Sequence, residues 1–275
     1  MCAITGRDSA STEGALVAML SGISRIASAA ALCLGAVVLF LAVPQANAGI
    51  IYSTGFENPP FVLGPLAGQD GWQEFGTTPV MVENTVVKSG LQAVSVDGSA
   101  AGQSGPFHED PTAGPLVELQ ADLFLAGSTT QSSWQFAGLG SGLAPFIGGI
   151  DTDPSTNDIK LITAGFPVVG TFSRDVWHHV DFVFNFTTQT YSFSFDGTQL
   201  AMNVPFCGDN GPCNGGLVGS YGDGLFDTFG GGNDFGYMDN FSLGTLQAVP
   251  EPGTLALLAS GLMGVAAAVR RRISR

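Results

Sequence analysis

The sequence predicts an all-β fold, an antiparallel double-sheet jelly-roll sandwich, with an N-terminal signal helix and a short C-terminal transmembrane helix. Short segments alternate apolar and polar residues, glycine and proline separate them, and residues 49–247 show no helical periodicity over ten residues. The chain of 275 residues contains 39 Gly and 20 Phe but only 12% charged residues. Helical bundles instead need Ala, Leu, Glu and Lys on their faces, so the composition also favours strands.

The N-terminus has the features of a secretory signal peptide. An uncharged apolar run covers residues 29–43, and a small-residue triplet that ends at Ala48 follows it. We therefore expect signal peptidase to cleave between Ala48 and Gly49 and the rest of the chain to be exported. The alternative is an uncleaved anchor, although the run is shorter than the roughly 20 residues of a membrane span.

Three features follow one another at the C-terminus. Pro250, Glu251 and Pro252 are followed by an apolar segment at residues 255–269 and then by a cluster of arginines. As a helix this segment would be about 22 Å long, shorter than the roughly 30 Å of bilayer hydrocarbon, so it is a marginal span. Because basic residues stay on the cytoplasmic side, residues 49–247 would lie on the other side of the membrane.

This order of motif, short apolar helix and arginine cluster resembles the PEP-CTERM sorting signal of Gram-negative bacteria. The resemblance implies transient anchoring in the inner membrane, removal of the tail near the motif by an exosortase, and delivery to the cell surface or an exopolysaccharide matrix. A plain C-terminal anchor, in which Pro-x-Pro only ends a strand, is the alternative. The predicted segments are therefore a signal peptide (1–48), a sandwich domain (49–247) and a sorting signal (248–275).

The charge of the central segment limits its partners. The whole chain carries a formal charge of −14. The first 48 residues are net neutral and the last 28 carry +3, which leaves −17 on residues 49–247, where Lys88, Lys160 and Arg174 are the cations. Such a segment cannot neutralise phosphates, which excludes nucleic acid, and it attracts divalent cations or basic partners.

The strongest strand signal covers residues 177–195. Large apolar residues alternate with mostly polar ones on both halves of this segment, which predicts a hairpin with one buried face. Other strand-like runs are residues 50–53, 80–87, 92–96, 116–124, 134–139, 159–162 and 235–243. The Gly-rich residues 208–236 lack alternation, so we expect a long ordered loop near the rim of the sandwich.

Several landmarks resemble the concanavalin A-like and laminin-G-like jelly rolls. They are an opening strand with Tyr52 and Phe56, the Gly68–Trp72 segment, a Trp-His-His-Val strand start at residue 177, the Asp196-Gly197 turn and a closing strand at 237–241. The resemblance implies a scaffold that lectins, glycosidases and adhesion modules share, so the fold does not choose among their functions.

Two cysteines remain after the leader, Cys207 and Cys213. Exported proteins are oxidised, so we expect these two to form a disulfide that closes a loop of seven residues. A zinc site would need two further good ligands, and no nearby histidine supplies them.

One acidic loop is a candidate calcium site. Its alternate oxygen-bearing side chains could converge on one cation; they are Asp151, Asp153, Ser155, Asn157 and Asp158. A helix-flanked calcium loop has Gly at its sixth and Glu at its twelfth position, where this chain has Thr156 and Ile162. A solvated Asp-rich turn is the alternative. The resemblance also implies calcium at the rim, near a second acidic set comprising Asp223, Asp227, Asp234 and Asp239.

No catalytic residues are predicted. Glu118 and Asp122 share one face of a strand but are about 13 Å apart, too far for a glycosidase pair without help from another strand. The Glu-x-Asp-x-x-Glu pattern of jelly-roll glucanases is absent. His178 and His179 point to opposite faces of a strand, so we expect one to be packed and the other solvated. His108 is expected in a loop.

Three tryptophans are candidates for stacking against sugar rings, with core positions as the alternative: Trp72, Trp134 and Trp177. Together these features predict an exported, non-enzymatic surface or matrix protein that binds carbohydrate or serves as a structural component. A glycan-cleaving enzyme on the same scaffold is the alternative function.

Overall fold

The computed structural model describes residues 49–99, 102–112, 114–208, 213, 216–246, 261–262 and 270. The predicted signal peptide, the sorting motif Pro250, Glu251 and Pro252, and most of the apolar segment at 255–269 lie outside these residues. In the part of the chain that is described, no helix has the length and hydrophobicity to cross a membrane. The sandwich belongs to one compact unit, Asn47–Ala248.

The described residues form sixteen strands, all paired in antiparallel ladders. In chain order they are β1 (Gly49–Thr54), β2 (Gly64–Pro65), β3 (Trp72–Phe75), β4 (Val80–Glu83), β5 (Ala93–Asp97), β6 (Gln103–Thr112), β7 (Leu116–Leu125), β8 (Ser133–Leu139), β9 (Phe146–Thr152), β10 (Asp158–Leu161), β11 (Val168–Thr171), β12 (Trp177–Asn185), β13 (Thr190–Phe195), β14 (Thr198–Pro205), β15 (Tyr221–Phe229) and β16 (Phe235–Thr245).

Two sheets pack face to face, as predicted. The front sheet has nine strands in the order β14-β13-β12-β7-β16-β5-β4-β2, and β1 pairs with the second half of β16. The back sheet has seven strands in the order β11-β10-β9-β8-β15-β6-β3. The chain is therefore an all-β sandwich, and its core lies between the two sheets.

The predicted hairpin is confirmed as β12 and β13. Phe182 pairs with Phe193 and Phe184 with Tyr191, and all four side chains are buried in the core. Their neighbours along each strand are only partly buried. Alternation is visible in the sequence here because one face of the front sheet packs on the core while the other remains accessible.

The expected loop at residues 208–236 is wrong over its central part. Residues 221–229 form β15, which lies between β6 and β8 in the back sheet. Every residue of β15 except Phe229 is buried, because a second apolar cluster covers the outer face of this sheet. That cluster joins Phe107, Leu139 and Leu225 to Cys207 and Cys213. A strand buried on both faces shows no alternation, which hid it in the sequence.

The predicted disulfide is confirmed, because the Sγ atoms of Cys207 and Cys213 are bonded. The sequence predicted that His108 lies in a loop, and this prediction is wrong. His108 lies on β6, and 6% of its surface is exposed. Its ring stacks on Tyr52 at a centroid distance of 3.9 Å. Proline and glycine on either side of His108 suggested a loop, but the pairing of β6 with both β3 and β15 overrides that local signal.

Candidate functional site

Much of the outer face of the front sheet is accessible to solvent. Its central strands β12, β7 and β16 are in register, so their outward side chains form cross-strand rows. One row contains Trp177, Phe124 and Tyr237, and the next contains His179, Asp122 and Asp239. Within the described residues, no loop covers β12. The outward side chains of this strand are all partly exposed.

Three aromatic side chains form the first row, which we call the aromatic row. The ring centroids of Phe124 and Trp177 lie 5.5 Å apart, and those of Phe124 and Tyr237 lie 5.6 Å apart. All three side chains are partly exposed. Phe235, whose exposed fraction is 41%, lies two residues before Tyr237 on the same face of β16, at a centroid distance of 6.4 Å. A soluble surface rarely presents a continuous aromatic strip without a partner.

Polar groups with fixed orientation lie beside the aromatic row. Oδ1 of Asp122 is 3.0 Å from Nδ1 of His179, and its Oδ2 accepts a 2.7 Å hydrogen bond from Nδ2 of Asn240. Burial opposes ionisation of Asp122, but these two hydrogen bonds outweigh it, and the pKa of Asp122 is lowered. The same contact raises the pKa of His179, whose side chain is 42% exposed.

A bulge in β16 shapes the face next to Asp122. The register shifts between Asp239 and Ser242, and Asn240 has a φ of 50°, a left-handed conformation that asparagine tolerates. Asp239 is fully buried, and its Oδ2 accepts hydrogen bonds from the backbone N–H groups of Lys88 and Ser89. A shallow depression of about 270 Å³ lies beside the bulge, lined by Ser53, Thr54, Gly55, Asn240, Phe241 and Ser242.

Two further carboxyls face outward at the other end of these strands. Asp181 on β12 is opposite Gln120, and Glu118 on β7 is opposite Val183, so the two acids are diagonal neighbours. Burial raises the pKa of both groups, and the charge of Asp181 raises that of Glu118 further. Oδ1 of Asp181 is shielded from solvent and has no hydrogen-bond partner. Sequence spacing along β7 alone did not find this pair, because β12 supplies the second acid.

Only one of the three candidate tryptophans lies on this face. Trp72 and Trp134 are each 1% exposed and belong to the core, whereas Trp177 is in the aromatic row. The two adjacent histidines divide as predicted. His178 is 7% exposed and contacts Asp196 through Nδ1, while His179 faces outward. Phe124, Tyr237 and Asn240 were missed, since only strand register places them beside Trp177.

The candidate calcium residues occupy the β9–β10 hairpin. Nζ of Lys160 lies 2.5 Å from Oδ2 of Asp153, and Oδ1 of Asn157 accepts a 2.7 Å hydrogen bond from Nε of Arg174. Asp151 accepts a hydrogen bond from Ser133. Asp158, which begins β10, pairs with Thr171. Within the described residues no group of three or more His, Cys, Asp and Glu is arranged for a metal ion. Calcium binding at this hairpin stays a prediction.

The second acidic set is dispersed. Asp239 lies in the front sheet, Asp223 and Asp227 are buried in the back sheet, and Asp234 forms a buried ion pair with Arg174 at 2.7 Å. Proximity in the sequence suggested one rim site, but the strand order separates the four side chains.

Comparison with known proteins identifies the C-terminal segment. Residues 248–272 match the family model described as the PEP-CTERM protein-sorting motif. The chain carries a PEP-CTERM sorting motif. This motif marks an exported protein that is sorted to the cell envelope and processed by an exosortase. No curated protein matches the chain.

Two solved structures with TM-scores of 0.51 and 0.50 support the sandwich fold. A structure of "Cellulose induced protein, Cip1" is 12% identical with a TM-score of 0.51, over 70% of this chain and 96% of that one. A protein of unknown function with a galectin-like fold from Bacillus subtilis is 9% identical with a TM-score of 0.50, over 74% and 99%. A sialidase is 11% identical with a TM-score of 0.48 over 64% of this chain, which spans only 17% of that enzyme.

Proposed function

We propose that this protein is a non-enzymatic carbohydrate-binding component of the cell surface or exopolysaccharide matrix, and that it binds polysaccharide on the outer face of the front sheet. The aromatic row of Trp177, Phe124 and Tyr237 carries the proposal. Pyranose rings have an apolar face that packs on aromatic side chains, while hydroxyl groups at their edges need polar partners. The side chains of His179 and Asn240, both held by the buried carboxylate of Asp122, supply such partners beside the row.

The orientation of these polar groups supports recognition of hydroxyl groups. Asp122 is held on both oxygens by His179 and Asn240, and Asn240 also accepts a 2.8 Å hydrogen bond from Oγ of Ser89. Side chains held in this way lose little rotational freedom when a ligand binds, which lowers the entropic cost of binding. The similarity to a galectin-like fold is compatible with this proposal, although fold alone does not specify a ligand.

Replacing Trp177 by alanine tests the binding face. We expect Trp177→Ala to weaken binding to the host's exopolysaccharide about thirtyfold, because a central tryptophan contributes ~2 kcal/mol to binding. Affinity electrophoresis in gels that contain the polysaccharide measures the effect. Phe229→Ala is the matched control, since Phe229 is an exposed aromatic residue on the back sheet. Equal loss in both variants, or no retention of the wild type, would reject the proposal.

We further propose that export proceeds through transient anchoring in the inner membrane of a Gram-negative cell, with signal peptidase and then exosortase as processing partners. The predicted result is a mature chain that starts at Gly49 and ends near the 250–252 motif. Cell fractionation followed by intact-mass measurement tests it, with a chain lacking residues 250–275 as the comparison. An unprocessed full-length chain at the surface would contradict the proposal.

A second candidate function is cleavage of a glycan by Glu118 and Asp181. The positions of diagonal neighbours on adjacent strands are ~7–8 Å apart, which lets their side chains place two carboxyls at the roughly 6.5–9.5 Å that inverting glycosidases need. The raised pKa of Glu118 is the property that a general acid needs. Release of reducing ends from a bound polysaccharide, lost in both Glu118→Gln and Asp181→Asn, would favour this enzyme over the binding protein.

A further inference from the structure

We propose that the front face selects polysaccharides whose sugar units carry free, protonated amino groups. This inference rests on the proposed binding function and adds the chemical class of the ligand. Charge complementarity carries it, because the strands of this face carry acidic side chains and neither lysine nor arginine, while its aromatic row provides the stacking surface for sugar rings.

The strands of the front sheet contain no basic side chain other than histidine. None of the nine strands includes a lysine or an arginine. The same strands contain Glu83, Asp97, Glu118, Asp122, Asp181 and Asp239. Lys88, in a neighbouring loop, lowers the pKa of Asp122, and His179 pairs with that same carboxyl. A polyanionic polysaccharide would therefore meet like charge along the face, at a cost in affinity.

On β7 and β12, the outward acids that lack such a cationic partner are Glu118 and Asp181. His179 lies two residues from Asp181 on the same strand face. Its charge lowers the pKa of Asp181, but burial has the larger effect, so the pKa of Asp181 is raised overall. An ammonium group has three donors and a positive charge, so one such group bound beside Glu118 and Asp181 would offset the repulsion between the two acids.

The distance between the two parts of the site sets the size of the ligand. Trp177 and Asp181 are four residues apart on β12, which corresponds to about 13 Å along a strand. A single sugar cannot reach both, so the ligand has to be a chain that lies along β12 and β7. A basic peptide would satisfy the acids but would not need the aromatic row, and it is therefore the competing class that the experiment must distinguish.

A matched pair of probes tests the inference: β-1,4-linked glucosamine hexamer and the N-acetylglucosamine hexamer of the same length and linkage. Isothermal titration of the full-length protein in detergent is performed at 50 and 500 mM NaCl. We expect the amine form to bind about tenfold more tightly at low salt, and the preference to shrink at high salt because exposed charges are screened. Glu118→Gln with Asp181→Asn should remove the preference, so that the two hexamers bind with equal affinity at both salt concentrations.

The outcomes separate this inference from the proposed function. Equal binding of both hexamers, or tighter binding of the acetylated one, overturns the amine preference but keeps carbohydrate binding. Binding of a neutral glucan, when neither hexamer binds, likewise overturns the amine preference and keeps carbohydrate binding. Failure of every polysaccharide overturns both proposals. An oligolysine that binds as tightly as the amine hexamer, with no loss in Trp177→Ala, would assign the face to a basic protein partner and overturn the inference.

Discussion

Asp227 shows how one buried acid is accommodated in the back sheet. Its side chain has no exposed surface, and its Oδ2 accepts a hydrogen bond from Nε2 of Gln103. Oδ1 of Asp227 and Oε1 of Gln135 both lack a partner, although the two residues are directly opposite on β15 and β8. Burial raises the pKa of Asp227 to about 8. A protonated Asp227 can donate to Gln135, so a single proton would satisfy both oxygens.

Asp227→Asn is expected to stabilise the protein at pH 7. The native pKa of Asp227 is above the ordinary 3.8, so folding takes up a proton between about pH 4 and pH 8. The free energy of unfolding of the wild type should therefore fall as the pH rises through that window. The amide of the variant can donate to Gln135 at every pH. The difference in stability between the two proteins should therefore grow up to about pH 8 and then level off. Urea denaturation at pH 4, 6, 8 and 9 measures it. A difference that does not change with pH would show that Asp227 ionises normally.

At the scale of elements, β15 depends on glycines that leave room for aromatic side chains. A Cβ atom at Gly224 would lie 2.7 Å from Cζ of Phe241 and 2.8 Å from Oη of Tyr221. Both distances are shorter than van der Waals contact. The glycines that suggested a loop are therefore required for packing. The inner face of β15 contacts large aromatic rings, and its outer face is covered by the second apolar cluster.

Gly224→Ala is expected to lower the free energy of unfolding by about 1–3 kcal/mol, because the added methyl group overpacks the core. Gly219→Ala is the matched control, since a Cβ at Gly219 has nothing within 4 Å and that residue is exposed. Thermal and urea unfolding of the two variants provide the comparison. Similar stability of both proteins would mean that β15 tolerates the extra atom by shifting.

At the scale of the whole molecule, a buried ion pair ties together the segments that cross between the sheets. Arg174 precedes β12 and Asp234 precedes β16, and their side chains are 6% and 0% exposed. Arg174 also donates to the carbonyl oxygen of Ala126, beyond the end of β7. Asp234 accepts a 2.9 Å hydrogen bond from Nε1 of Trp134 on β8. Front and back sheets are thereby joined at one end of the sandwich.

Arg174→Met is expected to cost about 3–5 kcal/mol of stability, because it leaves the carboxylate of Asp234 buried without its partner. Lys160→Met is the control, since the Lys160–Asp153 pair lies at the surface and its loss should leave the melting temperature nearly unchanged. Differential scanning calorimetry of both variants measures the contrast. If the double variant Arg174→Met, Asp234→Leu recovers stability, the cost belongs to the unpaired charge and not to lost packing.

The C-terminal sorting motif and the front hairpin could be predicted from local pattern alone. The motif at Pro250 to Pro252, the apolar segment and the arginine cluster follow one another within 26 residues. The hairpin at 177–195 alternates because only one of its faces is buried. The expected loop at 208–236 failed for the opposite reason, since β15 is covered on both sides. A local sequence pattern identifies a strand only when one face is buried and the other is exposed. It gives no such signal when both faces are buried.

The sequence by itself determined the all-β class, the pairing partners of the cysteines and the sorting signal, because each depends on periodicity, oxidation chemistry or adjacent residues. Only the tertiary structure decided the binding face. Trp177, Phe124 and Tyr237 are far apart along the chain, and the register of three strands brings their rings together. Register is set by the packing of the whole sheet on its core, which no local segment encodes.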